Sequence, residues 1–124
     1  MIEEYRFGFI AIDGKNYNHD VEVRSFEGRV SEVLAWQRKE SHIIDADDIK
    51  RAVEQNPDTI IIGTGESDMA EVTERAKETT ESKGIKLIID ITEQAVKTFN
   101  IISKDSLEEE GEQNKAIGLF HLTC

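Results

Sequence analysis

Positive charge is scarce in this chain. Fifteen of its 124 residues are Lys or Arg, against 26 Asp or Glu, for a net charge of −11. Such a chain repels phosphates, and no local cluster of Lys and Arg reverses the field, so a conventional nucleic-acid binder is excluded. Acidic membrane surfaces are poor partners for the same reason. Cysteine is nearly absent. Cys124 is the only one, so no internal disulfide can form and a reduced, cytoplasmic setting is expected. Long apolar runs are missing too. Segments such as Phe7–Ile12 and Thr59–Gly63 fall far short of the roughly 20 residues that cross a bilayer. The opening Met1–Arg6 carries Glu3 and Glu4 where a signal peptide has a basic region, so no secretory leader is expected.

What is present suits a small folded unit. Hydrophobic residues make up 38% of the sequence, enough for a core, although a chain this short buries only roughly two-thirds of its unfolded surface. Collagen-like, disulfide-rich and wholly disordered chains are excluded. The length predicts one domain over residues 1–124.

The pattern along the chain predicts an α/β fold. Phe7–Ile12 is aromatic and β-branched, and Asp13-Gly14 is a strong hairpin signal. Tyr17–Val23 returns with alternating polarity, and Val30–Trp36 is a third strand. Asp45–Gln55 is helical, with Asp45 or Asp47 as cap and Asn56-Pro57 as stop. Thr59–Gly63 is apolar without alternation, as in a strand buried on both faces. A second helix is expected near Asp68, where Asp68 and Glu71 have capping-box spacing. Its apolar stripe is Met69, Val72 and Ala76, supported by a Glu71–Arg75 pair. Ile85–Ile91 holds a second continuous apolar run, Leu87-Ile88-Ile89. Thr92 caps a third helix to about Ser103, an acidic loop covers Asp105–Asn114, and Ala116–Thr123 closes as a strand. Together these give three layers around a mixed β-sheet, with an N-terminal antiparallel hairpin and a parallel strand–helix–strand unit.

Two groups of residues carry candidate chemistry. Gly63-Thr64-Gly65 is a tight turn after a buried strand, where backbone N–H groups and a helix N-terminus can hold an anion. Asp90 ends the next strand, where a ribose-binding acid would sit. Against this, Glu66 and Asp68 repel phosphate, Asp68 replaces the third glycine of a dinucleotide fingerprint, and no Walker-type lysine follows. A purely structural turn is the favoured alternative. Trp36, Arg38 and His42 gather near one strand end, where they suit carboxylate binding or acid–base work. The plainer alternative anchors Trp36 in the core and pairs Arg38 with an acid. His121 and Cys124 have ligand chemistry, but positions three apart on a strand face opposite sides, so no metal site or cofactor is expected. Cys124 as a catalytic thiol has no activating positive charge nearby, and the acidic loop is a solvated segment or a contact for a basic protein.

Taken in order, these motifs form a larger pattern. Phe7-Gly8-Phe9-Ile10, Gly14, Tyr17 and Asp20-Val21 are followed by Trp36, Arg38 and His42. Ile61-Ile62-Gly63-Thr64-Gly65, Ala95-Val96, Phe99-Asn100, Ala116, Leu119 and His121-Leu122-Thr123-Cys124 complete it. The pattern resembles the Mth-type domain of unknown function, a family that includes uncharacterised archaeal and bacterial proteins, an adipogenesis-associated protein and a mitochondrial complex I assembly factor. The resemblance implies a three-layer α/β fold and no established enzymatic activity. It implies a role in protein association, by analogy with the eukaryotic relatives. Some relatives carry an Arg near the last loop, whereas this chain has none after Arg75. The expected function is therefore a non-enzymatic binding or assembly module. The alternative is a binder of, or enzyme acting on, an anionic metabolite at Gly63-Thr64-Gly65, with Trp36, Arg38, His42 and Asp90 as further candidates.

Overall fold

A computed structural model describes residues 1–108 and 115–124. Three antiparallel strands come first: β1 (Ile2–Arg6), β2 (Phe9–Ile12) and β3 (Lys15–Tyr17). Asp13 and Gly14 both take positive φ, 48° and 80°, the mirror-image turn that matches the twist of a two-residue hairpin. β1 precedes the strand read from the sequence, and Phe7-Gly8 is the turn between β1 and β2.

The main sheet has five strands in the order β5-β4-β10-β7-β9. These are β4 (Val21–Phe26), β5 (Arg29–Ala35), β7 (Thr59–Gly63), β9 (Lys86–Asp90) and β10 (Lys115–Phe120). β10 runs antiparallel to β4 and parallel to β7, and β7 is parallel to β9, so the sheet is mixed as expected. The Tyr17–Val23 strand of the sequence reading is broken at Asn18–Asp20, because its two ends enter different sheets.

Both faces of the sheet are covered. Ile60 and Ile62 on β7, with Ile117 and Leu119 on β10, pack toward α1 (Ala46–Val53) and α2 (Glu74–Ser82). Ile61 and Phe120 face the other way, toward α3 (Thr92–Glu108) and the small sheet, where Ile10 and Ile12 close the layer. Each fully buried isoleucine stabilises the fold by about 2 kcal/mol, so the Ile60–Ile62 run is the spine of the molecule. The helix α1 starts in a reciprocal capping box between Asp45 and Asp48.

Several boundaries differ from the sequence reading. The second helix starts at Glu74, capped by Thr73, not near Asp68. Glu71-Val72 is drawn into β8 (Glu71–Val72), which pairs in parallel with β6 (Ile43–Ile44). Arg75 accordingly reaches Asp45 at 3.7 Å and Asp47 at 3.8 Å, not Glu71. Met69 is exposed while Val72 and Ala76 are buried. The second apolar run, Leu87-Ile88-Ile89, is less enclosed than the first. β9 is an edge strand on which Leu87 and Ile88 are half-buried and Ile89 exposed. The helix α3 runs to Glu108, past Ser103. Of the expected acidic loop Asp105–Asn114, residues 109–114 lie outside the described residues.

Candidate functional site

One end of the main sheet gathers most of the candidate residues. Trp36 and Arg38 follow β5, Asp20 precedes β4, His121 follows β10, Gly63 ends β7 with Thr64-Gly65 after it, and Asp90 ends β9. They stand in strand order across the sheet. The Arg38 guanidinium reaches His121, just beyond β10, at 3.1 Å, whereas Asp90 lies two strands further on, at the end of β9. His42 stands outside the sheet, exposed, just before β6.

The most organised chemistry lies at the β5–β4–β10 end. Trp36 is buried, its backbone N–H donates to the Asp20 carbonyl at 2.9 Å, and its indole N–H donates to the Asp48 carbonyl at 2.9 Å. The Arg38 guanidinium lies over the indole, 4.8 Å from its centroid, a favourable cation–π placement. Arg38 Nη1 donates to Asp20 Oδ2 at 3.0 Å, and Nη2 donates to the Ser41 carbonyl at 2.9 Å. His121 Nδ1 lies 2.8 Å from the same Asp20 oxygen, and the Leu122 N–H donates to Oδ1 at 2.8 Å. An ionised Asp20 needs donors, so the proton belongs on His121 Nδ1. The 3.1 Å approach of Arg38 Nη2 to that nitrogen is then a contact between two donors, Nη2 serving the Ser41 carbonyl and Nδ1 the Asp20 carboxylate.

Burial raises the Asp20 pKa, but the His121 hydrogen bond, the Leu122 N–H and the charges of His121 and Arg38 outweigh it. The carboxyl is held below its ordinary range. The cluster thus ties three separate chain segments together. Among the described residues no three His, Cys, Asp or Glu side chains are grouped to hold a metal ion.

The glycine turn is similarly engaged. The Thr64 N–H donates to the Asp90 carbonyl at 2.9 Å, Gly65 to Thr92 Oγ1 at 2.8 Å, and Glu66 to the Thr123 carbonyl at 2.8 Å. Three consecutive amides that would cradle an anion are satisfied within the chain. The Thr64 hydroxyl donates to Asp68 at 2.5 Å. Beside it lies a 390 Å³ cleft whose charged lining is three acids, Asp68, Glu71 and Glu74, and one base, Lys77. The Asp90 carboxylate accepts the N–H of its neighbour Ile91 at 2.8 Å.

Sequence reasoning named Trp36 and Arg38 but not their partners. Asp20 and His121 enter the sequence reading as parts of the family pattern, His121 also as a weighed metal ligand, but nothing in the sequence joins either of them to Arg38. A second ion cluster was missed entirely. Glu22, 1% exposed on β4, accepts from Arg24 at 2.7 Å and from Arg51 of α1 at 3.1 Å. Its signal was a charge flanked by Val21 and Val23 in a strand facing a helix on each side.

The fold recurs in solved structures. It is similar to the conserved hypothetical protein PH1505 from Pyrococcus horikoshii OT3, with 24% identity over 100% of this chain and 99% of that one, at a TM-score of 0.78. It is similar to MT938, with 21% identity over 100% and 98% of the two chains, at a TM-score of 0.77. A third similar structure is described as an outer membrane protein from Bartonella henselae, with 18% identity over 99% and 94% of the two chains, at a TM-score of 0.74. In the present chain, no helix among the described residues is long and apolar enough to cross a membrane. The profile for a protein of unknown function (DUF498/DUF598) matches residues 2–110, and the chain belongs to that family.

Proposed function

We propose that this chain is a non-enzymatic binding or assembly module of the Mth-type kind, acting in the cytoplasm through association with other proteins. One observation supports this reading above the others. The groups best suited to act on a ligand are spent on the chain itself: Arg38, whose side chain is 5% exposed, donates to Asp20 and to the Ser41 carbonyl. Catalytic clefts hold polar groups poised toward an occupant. Here such groups fasten the β5 exit and the residues after β10 to the start of β4. The alternative, an anionic metabolite bound or transformed at Gly63-Thr64-Gly65, is weakened by the three engaged amides and by Asp68, Glu71 and Glu74 in the adjacent cleft.

The test has two arms. The protein, tagged and expressed at its native level, is expected to return with a stoichiometric protein partner after mild cross-linking. A panel of anionic metabolites is expected to leave its melting temperature unchanged. A ligand at a hundredfold excess over its dissociation constant would add about 2.7 kcal/mol to stability, a shift too large to miss. Such a shift, with no partner recovered, overturns the proposal in favour of the alternative.

A further inference from the structure

We infer that β9 is a self-pairing edge, through which two copies of this chain join antiparallel about a two-fold axis at Ile88. No strand among the described residues lies beyond β9 in the main sheet. The Lys86 N–H donates to the Asp58 carbonyl, and the Asp90 carbonyl accepts from Thr64. The even-numbered residues therefore turn their backbone groups inward to β7. The N–H and C=O of one strand residue point the same way, so Leu87 and Ile89 turn both groups outward. Unpaired donors and acceptors in a row are a template for another strand.

The sequence of the strand selects the partner. Lys86-Leu87-Ile88-Ile89-Asp90 is charge-complementary to its own reverse. With the axis at Ile88, Lys86 of each copy faces Asp90 of the other, Leu87 faces Ile89, and Ile88 faces itself. Leu87 and Ile89 then form the hydrogen-bonded pairs, consistent with their outward backbone groups, and opposite charges close both ends. Apolar surface lies beside this edge. Ile89 is 38% exposed, and a 330 Å³ cleft between β9 and α2 is lined by Ile85, Leu87 and Ile89 with Lys77, Thr80 and Glu81.

The opposite edge behaves differently. Paired with itself over its full length Arg29–Ala35, β5 would set Glu32 against Glu32, a like-charge contact that destabilises a sheet. Its pairing with β4 also carries a bulge between Arg24 and Ser25, a feature that blunts edges. Of the two edges of the main sheet, β9 is the one whose sequence complements its own reverse.

A strip of five residues is smaller than the ~1,600 Å² of a standard interface, and net charge opposes it, so the pairing is weak and concentration-dependent. The experiment is sedimentation of the purified full chain at about 0.15 M salt, where charges beyond roughly 8 Å are screened. The mass is expected to rise from one 14.1 kDa chain toward two as concentration increases to about 1 mM, the ceiling for a weak complex. Lys86→Asp and Asp90→Lys each set like charges opposite one another twice per dimer, and each is expected to weaken association about tenfold. An equimolar mixture of the two variants restores opposite charges at both ends, and is expected to recover association. A merely structural effect of either substitution cannot be rescued by mixing. Wild-type protein that stays monomeric throughout, single variants that associate like wild type, or a mixture that fails to recover would each overturn the inference. Because this test uses the purified chain alone, its outcome is separate from partner recovery.

Discussion

Asp20 accepts from Arg38 at 3.0 Å, although one residue precedes β4 and the other follows β5, and the Arg38 side chain is only 5% exposed. A guanidinium so enclosed depends on its acid. Removing one partner of such a pair leaves the other desolvated without compensation, a larger loss than the pair's own net contribution. Asp20→Ala also removes the acceptor for the Leu122 N–H. We expect Asp20→Ala to lower stability by about 2–4 kcal/mol. Glu32→Ala, which removes an exposed partner of Arg24, is expected to cost under about 1 kcal/mol. Urea unfolding of both variants checks this, and equal costs would show the Asp20 cluster to be ornamental.

Acid should act through the same carboxylate. Burial works to raise the Asp20 pKa, but the His121 and Leu122 hydrogen bonds and the charges of His121 and Arg38 bring it below the ordinary value. The unfolded chain therefore takes up its proton first as pH falls. Stability from this group is complete above the unfolded carboxylate range, about pH 4, and is lost as pH drops through the folded value. Asp45 is lowered as well, by the Thr73 hydroxyl bond and the Ala46 N–H. The Asp20→Asn variant should start less stable and lose less between about pH 5 and pH 2. Urea midpoints measured across that range test the point. Parallel curves for variant and wild type would contradict it.

Alkali reports on a different group at the same end of the molecule. The Tyr5 hydroxyl donates to the Leu122 carbonyl at 3.2 Å. Burial raises its pKa to about 12, with further contributions from Glu66, Glu93 and Asp20. A raised folded value means that the stability is present below the unfolded phenol value of about 10 and is lost as pH climbs through about 12. The Tyr5→Phe variant should lack the ultraviolet ionisation step near 12. If the step it lacks falls near 10, Tyr5 is not held as described.

The strongest sequence signals came from local chemistry. Three adjacent β-branched residues, Ile60 to Ile62, marked an interior strand of the main sheet. Asp13-Gly14 marked a hairpin, and Asp45 marked a helix start. The failures share a different cause. Asp68-x-x-Glu71 satisfies a capping pattern as well as any true cap, but the Asp68 carboxylate is taken by Thr64, and Glu71-Val72 by Ile43-Ile44 some 28 positions away. Leu87-Ile88-Ile89 is as apolar as Ile60-Ile61-Ile62, and only the order of strands in space makes one an edge and the other an interior strand. The site divides along the same line. Trp36 and Arg38 are neighbours in sequence and were legible together. Asp20 and His121 lie 18 and 83 positions from Arg38, a pairing that only the closing of β4 between β5 and β10 creates.

Gly65 fixes the last segment of the chain against the sheet. It has φ +103°, and a Cβ there would lie 2.7 Å from the carbonyl oxygens of both Thr123 and Cys124. Neither obstacle is a flexible side chain, so the backbone itself must move. Left-handed strain costs roughly 1–2 kcal/mol for a residue with a side chain, and overpacking about 1–3 kcal/mol more. Gly84 supplies the control, since it also has positive φ, +70°, but a Cβ there meets nothing within 4 Å. We expect Gly65→Ala to destabilise by about 2–5 kcal/mol and Gly84→Ala by only about 1–2 kcal/mol. Displacing residues 123–124 should also expose the Glu66 N–H, which donates to the Thr123 carbonyl at 2.8 Å. Hydrogen exchange at Glu66 should therefore accelerate in Gly65→Ala and remain slow in Gly84→Ala. Equal midpoints for the two variants, with unchanged exchange at Glu66, would mean that the chain end is not held by this close approach.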